Sequence, residues 1–184
     1  MIPAVRAAAL ALAALTALLA TGARAGAPPP EPADYRQDHY RTPTPATLAG
    51  ARVIGAGEAE ALWRRGVLFI DVMPQAPRPA GLPPGTLWRD PPHESIPNAH
   101  WLVNTGFGAL APETEAYFRS ALERLTGGDR DKPMVFFCLR HCWMSWNAAK
   151  RALALGYTRV IWFPDGTDGW SDAALPLERL QPEK

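Results

Sequence analysis

The sequence predicts a single α/β domain built on a mainly parallel five-stranded sheet flanked by helices. Five short apolar runs lack the alternation of apolar and polar residues that marks a strand with one solvent-exposed face. This is expected for strands covered on both faces. Segments with helical periodicity lie between these runs, which is the spacing of a parallel α/β sheet. With 184 residues and only two cysteines, the chain is long enough to bury a sizeable core without a covalent staple.

Residues 1–25 have the anatomy of a cleavable export signal and are expected to lie outside the domain. Arg6 precedes an apolar run over residues 7–20, and an Ala-Arg-Ala cleavage site follows at residues 23–25. The run is shorter than the about 20 residues that a spanning helix needs. We therefore expect a periplasmic protein with no membrane span after cleavage of the signal.

The charge of the remaining chain is close to neutral. Loss of Arg6 and Arg24 with the signal changes the formal net charge from +1 to −1. This balance argues against a nucleic-acid partner or an anionic lipid surface.

Residues 26–50 are rich in proline and polar residues, which predicts an extended N-terminal arm that contributes nothing to the core. The domain itself is expected to span residues 51–180. Its predicted strands are the apolar runs at residues 51–54, 67–70, 100–103, 134–138 and 159–163. Its predicted helices, each followed by glycine, cover residues 58–65, 112–125 and 145–155.

A long loop is predicted at residues 73–97, which contain eight prolines and no periodicity. Loops of this length in a compact domain are usually functional or disordered. The loop follows Asp71 at a strand end, on the edge where open α/β sheets place their ligand sites. Asp71 either orients the cysteine loop or accepts backbone N–H groups near the turn, and the sequence leaves both interpretations open.

Both cysteines lie in one short loop. Cys138 ends the fourth predicted strand, Cys142 follows after three residues, and the next helix is expected to begin near Ser145. Amide N–H groups at a helix amino terminus favour an anion and lower cysteine pKa values. Arg140 and His141 add positive charge, so the pattern predicts that Cys138 is a nucleophile with a lowered pKa.

The role of Cys142 has several interpretations. A disulfide with Cys138 requires the loop to curl, and so small a ring stabilises by only about 2 kcal/mol. A reactive pair and a small structural disulfide therefore both stay open. Trp143 stands where haem attachment needs histidine. Two thiolates with His141 form an incomplete metal site unless His93 or His100 joins them, so we expect no metal.

The aromatic residues around the cysteines also have two interpretations. Trp143 and Trp146 either form a hydrophobic lip for a ligand or a partner, or pack beneath the long loop. Trp170, which follows Gly169, is expected to be a packing residue.

Several segments resemble rhodanese-like domains. They are VLFIDV around Asp71, SIPNAHWL over residues 95–102, and the stretch from Cys138 to Trp170. More narrowly, FCLRHCWMSWNAAKRA, DYRQDHYRTPTPATLAGA and LWRDPPHESIPNA are similar to the exported family named for a CxxCW-type motif and associated with PQQ-dependent catabolism. The motif here is C-x-x-x-C-W.

The resemblance implies that Cys138 accepts a sulfane sulfur as a persulfide held by loop N–H groups. Cys142, a second thiol close by in the chain, is then expected to resolve this intermediate. Rhodanese loops commonly read C-x-x-G-x-R-S, whereas this loop is one residue longer up to Ser145 and has His141 in place of glycine. Trp143-Met144 replaces the anion-binding arginine, which weakens the case for thiosulfate or phosphate turnover.

The sequence therefore predicts a periplasmic protein with a thiol-based sulfur or redox role accessory to PQQ-dependent alcohol catabolism. It would act as a sulfurtransferase or a thiol-disulfide oxidoreductase. No cofactor is required by the sequence, and the PQQ link comes from the resemblance. The implied partners are a quinoprotein dehydrogenase, a cytochrome c or transporter components. The alternative is a non-catalytic binding module for a redox cofactor or for a cytochrome or transporter partner.

Overall fold

The structure, a computed structural model, describes residues 27–184. Its elements in chain order are β1 (Arg52–Val53), α1 (Ala56–Arg64), β2 (Leu68–Asp71), β3 (His93–Ser95), β4 (His100–Trp101), α2 (Pro112–Thr126), β5 (Met134–Phe137), α3 (Trp143–Ala154), β6 (Val160–Phe163), α4 (Gly166–Asp172) and β7 (Glu178–Leu180). The predicted export signal lies outside the described residues. None of the helices in this part of the chain combines the length and apolar character that a bilayer crossing needs.

The main sheet has five strands in the order β1-β6-β5-β2-β4, and every neighbouring pair is parallel. This confirms the predicted α/β class, and each of the five predicted apolar runs contributes one strand. In the central pair of strands Asp71 lies opposite Phe137. Val72 and Cys138 therefore leave the sheet side by side, at its carboxyl edge.

Both faces of the sheet are covered, which explains why the strands do not alternate between apolar and polar residues. One core lies under α2 and α3 and includes Phe118, Trp146 and Trp162. The other lies under α1 and α4 and includes Leu62 and Trp170. All four residues of β5 are fully buried between the two cores.

Two features of the fold are missing from the sequence prediction. Helix α4 has only seven residues, too few for a periodic pattern. Strands β3 and β7 pair antiparallel, with His93 opposite Leu180. Because β3 lies within the predicted loop at residues 73–97, the irregular segment ends at Pro92.

Residues 27–50, the described part of the predicted arm, contain no helix and belong to the packed structure. Leu48 is buried in the core under α3, so the expectation that the arm contributes nothing to the core is wrong. The Trp143 N–H donates to the Tyr40 carbonyl, and the Arg36 N–H donates to Asn147 Oδ1. The arm thus covers the outer face of α3, which carries Asn147 and Lys150 as well as tryptophans.

Candidate functional site

The two cysteines lie where β5 leaves the sheet and α3 begins. The Cys138 carbonyl accepts the Thr167 N–H at 3.0 Å, which ties the strand end to α4. Gly166 has a φ of 51°, and a Cβ at this position would collide with the Cys138 carbonyl. The glycine therefore allows α4 to hold the backbone of Cys138 in place.

The loop between the cysteines curls. His141 is exposed and has a φ of 56°, and the backbone of Cys142 forms an antiparallel bridge with Arg41 of the arm. Helix α3 begins at Trp143 with Cys142 as its N-cap residue. It therefore starts two residues earlier than the predicted start at Ser145, and its amino terminus acts on Cys142 rather than on Cys138. Both thiols are free.

The pKa values of the two thiols are shifted in opposite directions. Burial, followed by the neighbouring Cys142, raises the pKa of Cys138 well above its ordinary value. A hydrogen bond from the Cys138 thiol lowers the pKa of Cys142 to about 7, with further help from the N–H groups of Met144 and Leu139 and from the charge of Arg41. The predicted lowered pKa of Cys138 is thus wrong. Cys138 sits in apolar surroundings and receives only the Leu139 N–H, whereas Cys142 receives the N–H groups of both Met144 and Leu139.

Neither thiol reaches solvent in this arrangement. Cys138 is 1% exposed and Cys142 is 2% exposed. The Sγ atom of Cys138 lies 3.6 Å from the Sδ atom of Met73, at the start of the long loop. An open, solvent-facing nucleophile is therefore not present, and a reagent reaches Cys138 only after a side chain has moved.

Arg140 does not steady either thiolate. Its guanidinium donates to Asp172 at 2.6 Å and to Asp165 at 3.3 Å, and these carboxylates raise its pKa. Its backbone N–H donates to Asp168 Oδ2. The acidic residues come from the segment around α4, so Arg140 ties the cysteine loop to that segment.

Asp71 organises the long loop and makes no hydrogen bond with the cysteine loop among the described residues. It is 1% exposed, and its Oδ1 atom accepts the Met73 N–H at 2.8 Å. Its Oδ2 atom accepts the Ser95 hydroxyl at 2.5 Å and contacts His93 Nε2 at 2.7 Å. This confirms the turn interpretation. The Asp71 charge also contributes to the raised pKa of Cys138.

Trp143 and Trp146 form no exposed lip. They are 3% and 0% exposed and pack edge to face, with ring centroids 5.5 Å apart. Their indole N–H groups donate to the N-terminal arm: Trp143 to Thr42 and Pro43, and Trp146 to Thr47. Both sequence interpretations are therefore wrong, because the cover is the arm and not the long loop.

The remaining predicted residues have structural contacts. The Ser145 hydroxyl donates to the Cys142 carbonyl and accepts the Trp162 indole N–H. Trp170 is fully buried against Trp63 and Phe69, which confirms its packing role. Ser145 therefore links the end of the cysteine loop to β6.

Histidines do not complete a metal site with the thiols. His93 contacts Asp71, and His100 contacts Glu183 at 2.6 Å. Over residues 27–184 no three His, Cys, Asp or Glu side chains are grouped to hold a metal ion.

Sequence reasoning missed Met73. The only signal was its position, two residues beyond Asp71 at the edge of the sheet that also carries Cys138. A thioether on a proline-rich loop has no motif of its own, so only the fold reveals its contact with Cys138.

Comparisons with known proteins give distant structural likenesses. No family model and no curated protein matches this chain. The solution structure of the 30 kDa polysulfide-sulfur transferase homodimer from Wolinella succinogenes is similar with a TM-score of 0.44 and 18% identity, over 71% of this chain and 80% of that chain. A likeness this distant carries no information about activity.

Proposed function

We propose that this chain is a rhodanese-like protein whose two cysteines work as a pair in sulfur transfer or thiol-disulfide exchange. One observation carries the proposal: two free thiols meet at the carboxyl end of the central strand, one of them at the amino terminus of α3. Each thiol shifts the pKa of the other, upward for Cys138 and downward for Cys142. A stabilised thiolate can act as a base toward a neighbouring thiol, here Cys142 toward Cys138.

In the proposed reaction, the Cys142 thiolate first accepts the proton of Cys138, which makes Cys138 the nucleophile. The Cys138 sulfur attacks the sulfur–sulfur bond of a substrate RS–SR′ and forms a Cys138–SR bond. The leaving group R′S⁻ takes the proton back from Cys142. This sequence keeps Cys138 as the attacking atom, although Cys142 carries the charge at rest.

Cys142 then resolves the intermediate. As a thiolate it attacks Cys138 Sγ, releases RS⁻ and forms the Cys138–Cys142 disulfide, so the substrate is reduced and the pair is oxidised by two electrons. With a persulfide attacked at its outer sulfur, the intermediate is a Cys138 persulfide and the second step releases hydrosulfide. A thiol or dithiol reductant returns the pair to its starting state.

The charges around the pair favour substrates other than doubly charged oxyanions. Arg140 is engaged with two carboxylates, and Met144 stands where the resemblance would place an anion-binding arginine. The cysteine loop therefore offers thiosulfate no arginine that is free to bind it through two hydrogen bonds. We expect persulfides and disulfides to react more readily.

The cellular setting is part of the proposal. The signal-like residues 1–25 support a periplasmic location, and the resemblance to the CxxCW-type family supports an accessory role in PQQ-linked alcohol oxidation. A quinoprotein dehydrogenase, a cytochrome c or a transporter component would then be the partner. The rival is a non-catalytic binding module, and the burial of both thiols is the observation that favours it.

The test is the reaction of the purified, reduced protein with an organic persulfide, a disulfide and thiosulfate, followed by mass spectrometry. We expect a Cys138–Cys142 disulfide in the wild type. In the Cys142→Ser variant the Cys138 adduct should form more slowly, because the base is lost, and should then persist, because no second thiol resolves it. Cys138→Ser should form neither product. Absence of any adduct with all three reagents, in a folded protein, would favour the binding module.

A further inference from the structure

We propose that the pocket between the start of the long loop and the amino end of α2 is the substrate site, and that the Met73 side chain is its inner wall against Cys138. The proposal rests on the thiol chemistry proposed above and specifies its substrate class. The substrate would be an organic disulfide or persulfide that carries an apolar group.

The pocket has the size and position of a small-molecule site. Its volume is about 910 Å³, and it opens at the carboxyl edge of the sheet. Ligand pockets commonly span roughly 300 to 1,000 Å³. Its walls come from the first residues of the long loop, from the segment before α2 and from Met144 near the start of α3.

Met73 connects the pocket with the thiols. It lines the pocket, and its Sδ atom lies 3.6 Å from Cys138 Sγ. The Met73 side chain therefore stands between the pocket and the buried sulfur.

Only the side chain of Met73 is free to move. The Met73 N–H donates to Asp71 Oδ1 at 2.8 Å, and the Met73 carbonyl accepts the Trp101 indole N–H at 2.7 Å. These two bonds hold the backbone on both sides. Methionine has an unbranched chain with three rotatable bonds, so a change of rotamer is enough to open a path to Cys138.

Met144 places the first turn of α3 at the same pocket. It lies two residues after Cys142 and lines the pocket. Gly106 approaches it so closely that a Cβ on Gly106 would collide with Met144. The segment before α2 is therefore packed directly against the start of α3, next to the cysteine pair.

The walls of the pocket define the substrate class. Nine of its fourteen lining residues are apolar, among them Pro74, Phe107 and Leu110, and Asp90 adds a carboxylate. Arg78 is its one basic lining residue, on an exposed part of the loop, where it donates to the Thr86 carbonyl. Such walls favour an aliphatic or aromatic substituent over a small inorganic oxyanion.

The experiment measures the rate at which the reduced protein reacts with an aromatic disulfide, 4,4′-dithiodipyridine, and with hydrogen peroxide as a small reagent. Leu110→Trp fills the pocket and should slow the aromatic disulfide about tenfold while leaving the peroxide rate nearly unchanged. Leu87→Trp is the matched control, since Leu87 is 92% exposed and does not line the pocket. It should change neither rate.

The inner wall is tested with two further variants. Met73→Ala should raise the rate with both reagents by about tenfold, because access limits the reaction. Met73→Leu keeps the volume and should stay close to the wild type. Thermal unfolding checks that each variant is folded, and the Leu110 and Leu87 pair decides the outcome if Met73→Ala does not fold.

A failure of the pocket proposal can be distinguished from a failure of the proposed thiol chemistry. Thiols that react while Leu110→Trp and Met73→Ala leave the rates unchanged would overturn the pocket but keep the thiol chemistry. Thiols that stay inert in every folded variant, including Met73→Ala, would overturn both.

Discussion

At the residue scale, Cys138 and Cys142 are identical side chains in unequal surroundings. Cys138 is enclosed by apolar groups and the Met73 thioether, whereas Cys142 faces amide N–H groups and the charge of Arg41. The proton therefore stays on Cys138, and the negative charge is favoured on Cys142. In the proposed reaction the base, Cys142, therefore lies next to the nucleophile, Cys138.

The charge on Cys142 predicts a pH dependence. Its pKa is lowered to about 7, first by the Cys138 thiol. The deprotonated form is therefore lost as the pH falls through about 7, and the rate of disulfide exchange should fall with it. Thiolate absorbance in the ultraviolet, followed against pH, should show one thiolate appearing near this pH. In Cys138→Ala the midpoint should be higher, because the hydrogen-bond donor is gone.

Two arginines provide a matched comparison for this titration. Arg41→Ala should raise the midpoint of Cys142, because its charge helps to lower that pKa. Arg140→Ala should leave the midpoint unchanged, because Arg140 is paired with Asp165 and Asp172. A larger shift in Arg140→Ala than in Arg41→Ala would contradict this assignment of the charges.

At the element scale, the site depends on contacts that fix both ends of the cysteine loop. Helix α4 holds the strand end through the Thr167 N–H and the Cys138 carbonyl, and the arm holds the helix start through Tyr40 and Trp143. In each contact the partner, Thr167 of α4 or Tyr40 of the arm, lies outside the cysteine loop. The positions of the two sulfur atoms are thus set by elements that contain no reactive group.

The contact with α4 predicts an effect of Gly166→Ala. Gly166 has a φ of 51°, and a Cβ there would collide with the Cys138 carbonyl. Gly127 is a control, since its φ is 67° but nothing lies within 4 Å of the added Cβ. Gly127→Ala should cost about 1 kcal/mol of unfolding free energy for the left-handed backbone alone.

Gly166→Ala should lower the unfolding free energy by about 1 to 3 kcal/mol more than Gly127→Ala does, because overpacking adds to the backbone strain. Urea unfolding of both variants measures the difference. Equal losses of unfolding free energy in the two variants would mean that α4 shifts to make room for the added Cβ and does not fix Cys138.

At the scale of the whole molecule, no covalent bond links the two cysteines, and the fold depends on its two cores. Each core lies on one face of the parallel sheet, and the arm closes the one beneath α3 through Leu48. A domain packed in this way does not need the pair for its stability. The cysteines are therefore available for chemistry.

Replacement of both cysteines by alanine tests this separation of stability and function. We expect a folded protein whose unfolding free energy is lower by no more than about 1 to 3 kcal/mol, the range for small changes of buried side chains. We also expect loss of function in cells that grow by PQQ-linked alcohol oxidation. Retained growth together with retained partner binding would favour the binding module.

The main elements and the place of the cysteine pair between a strand and a helix can be predicted from the sequence alone. Its apolar runs predicted all five strands of the parallel sheet, and its periodicity and glycines predicted α1, α2 and α3. These patterns depend on residues that are close in sequence, which is why they can be read there. The same reasoning placed both cysteines at a junction between a strand and a helix.

The pKa shifts of the thiols and their burial depend on contacts that form only in the folded chain. Met73 lies 65 positions from Cys138 in the chain, and the Thr42 hydroxyl that binds the Trp143 indole lies 101 positions away. Burial and pKa depend on such distant neighbours, which no local pattern specifies. The sequence thus located the thiol pair, and packing determined that the pKa of Cys142 is lowered, that the pKa of Cys138 is raised and that Met73 contacts the Cys138 sulfur.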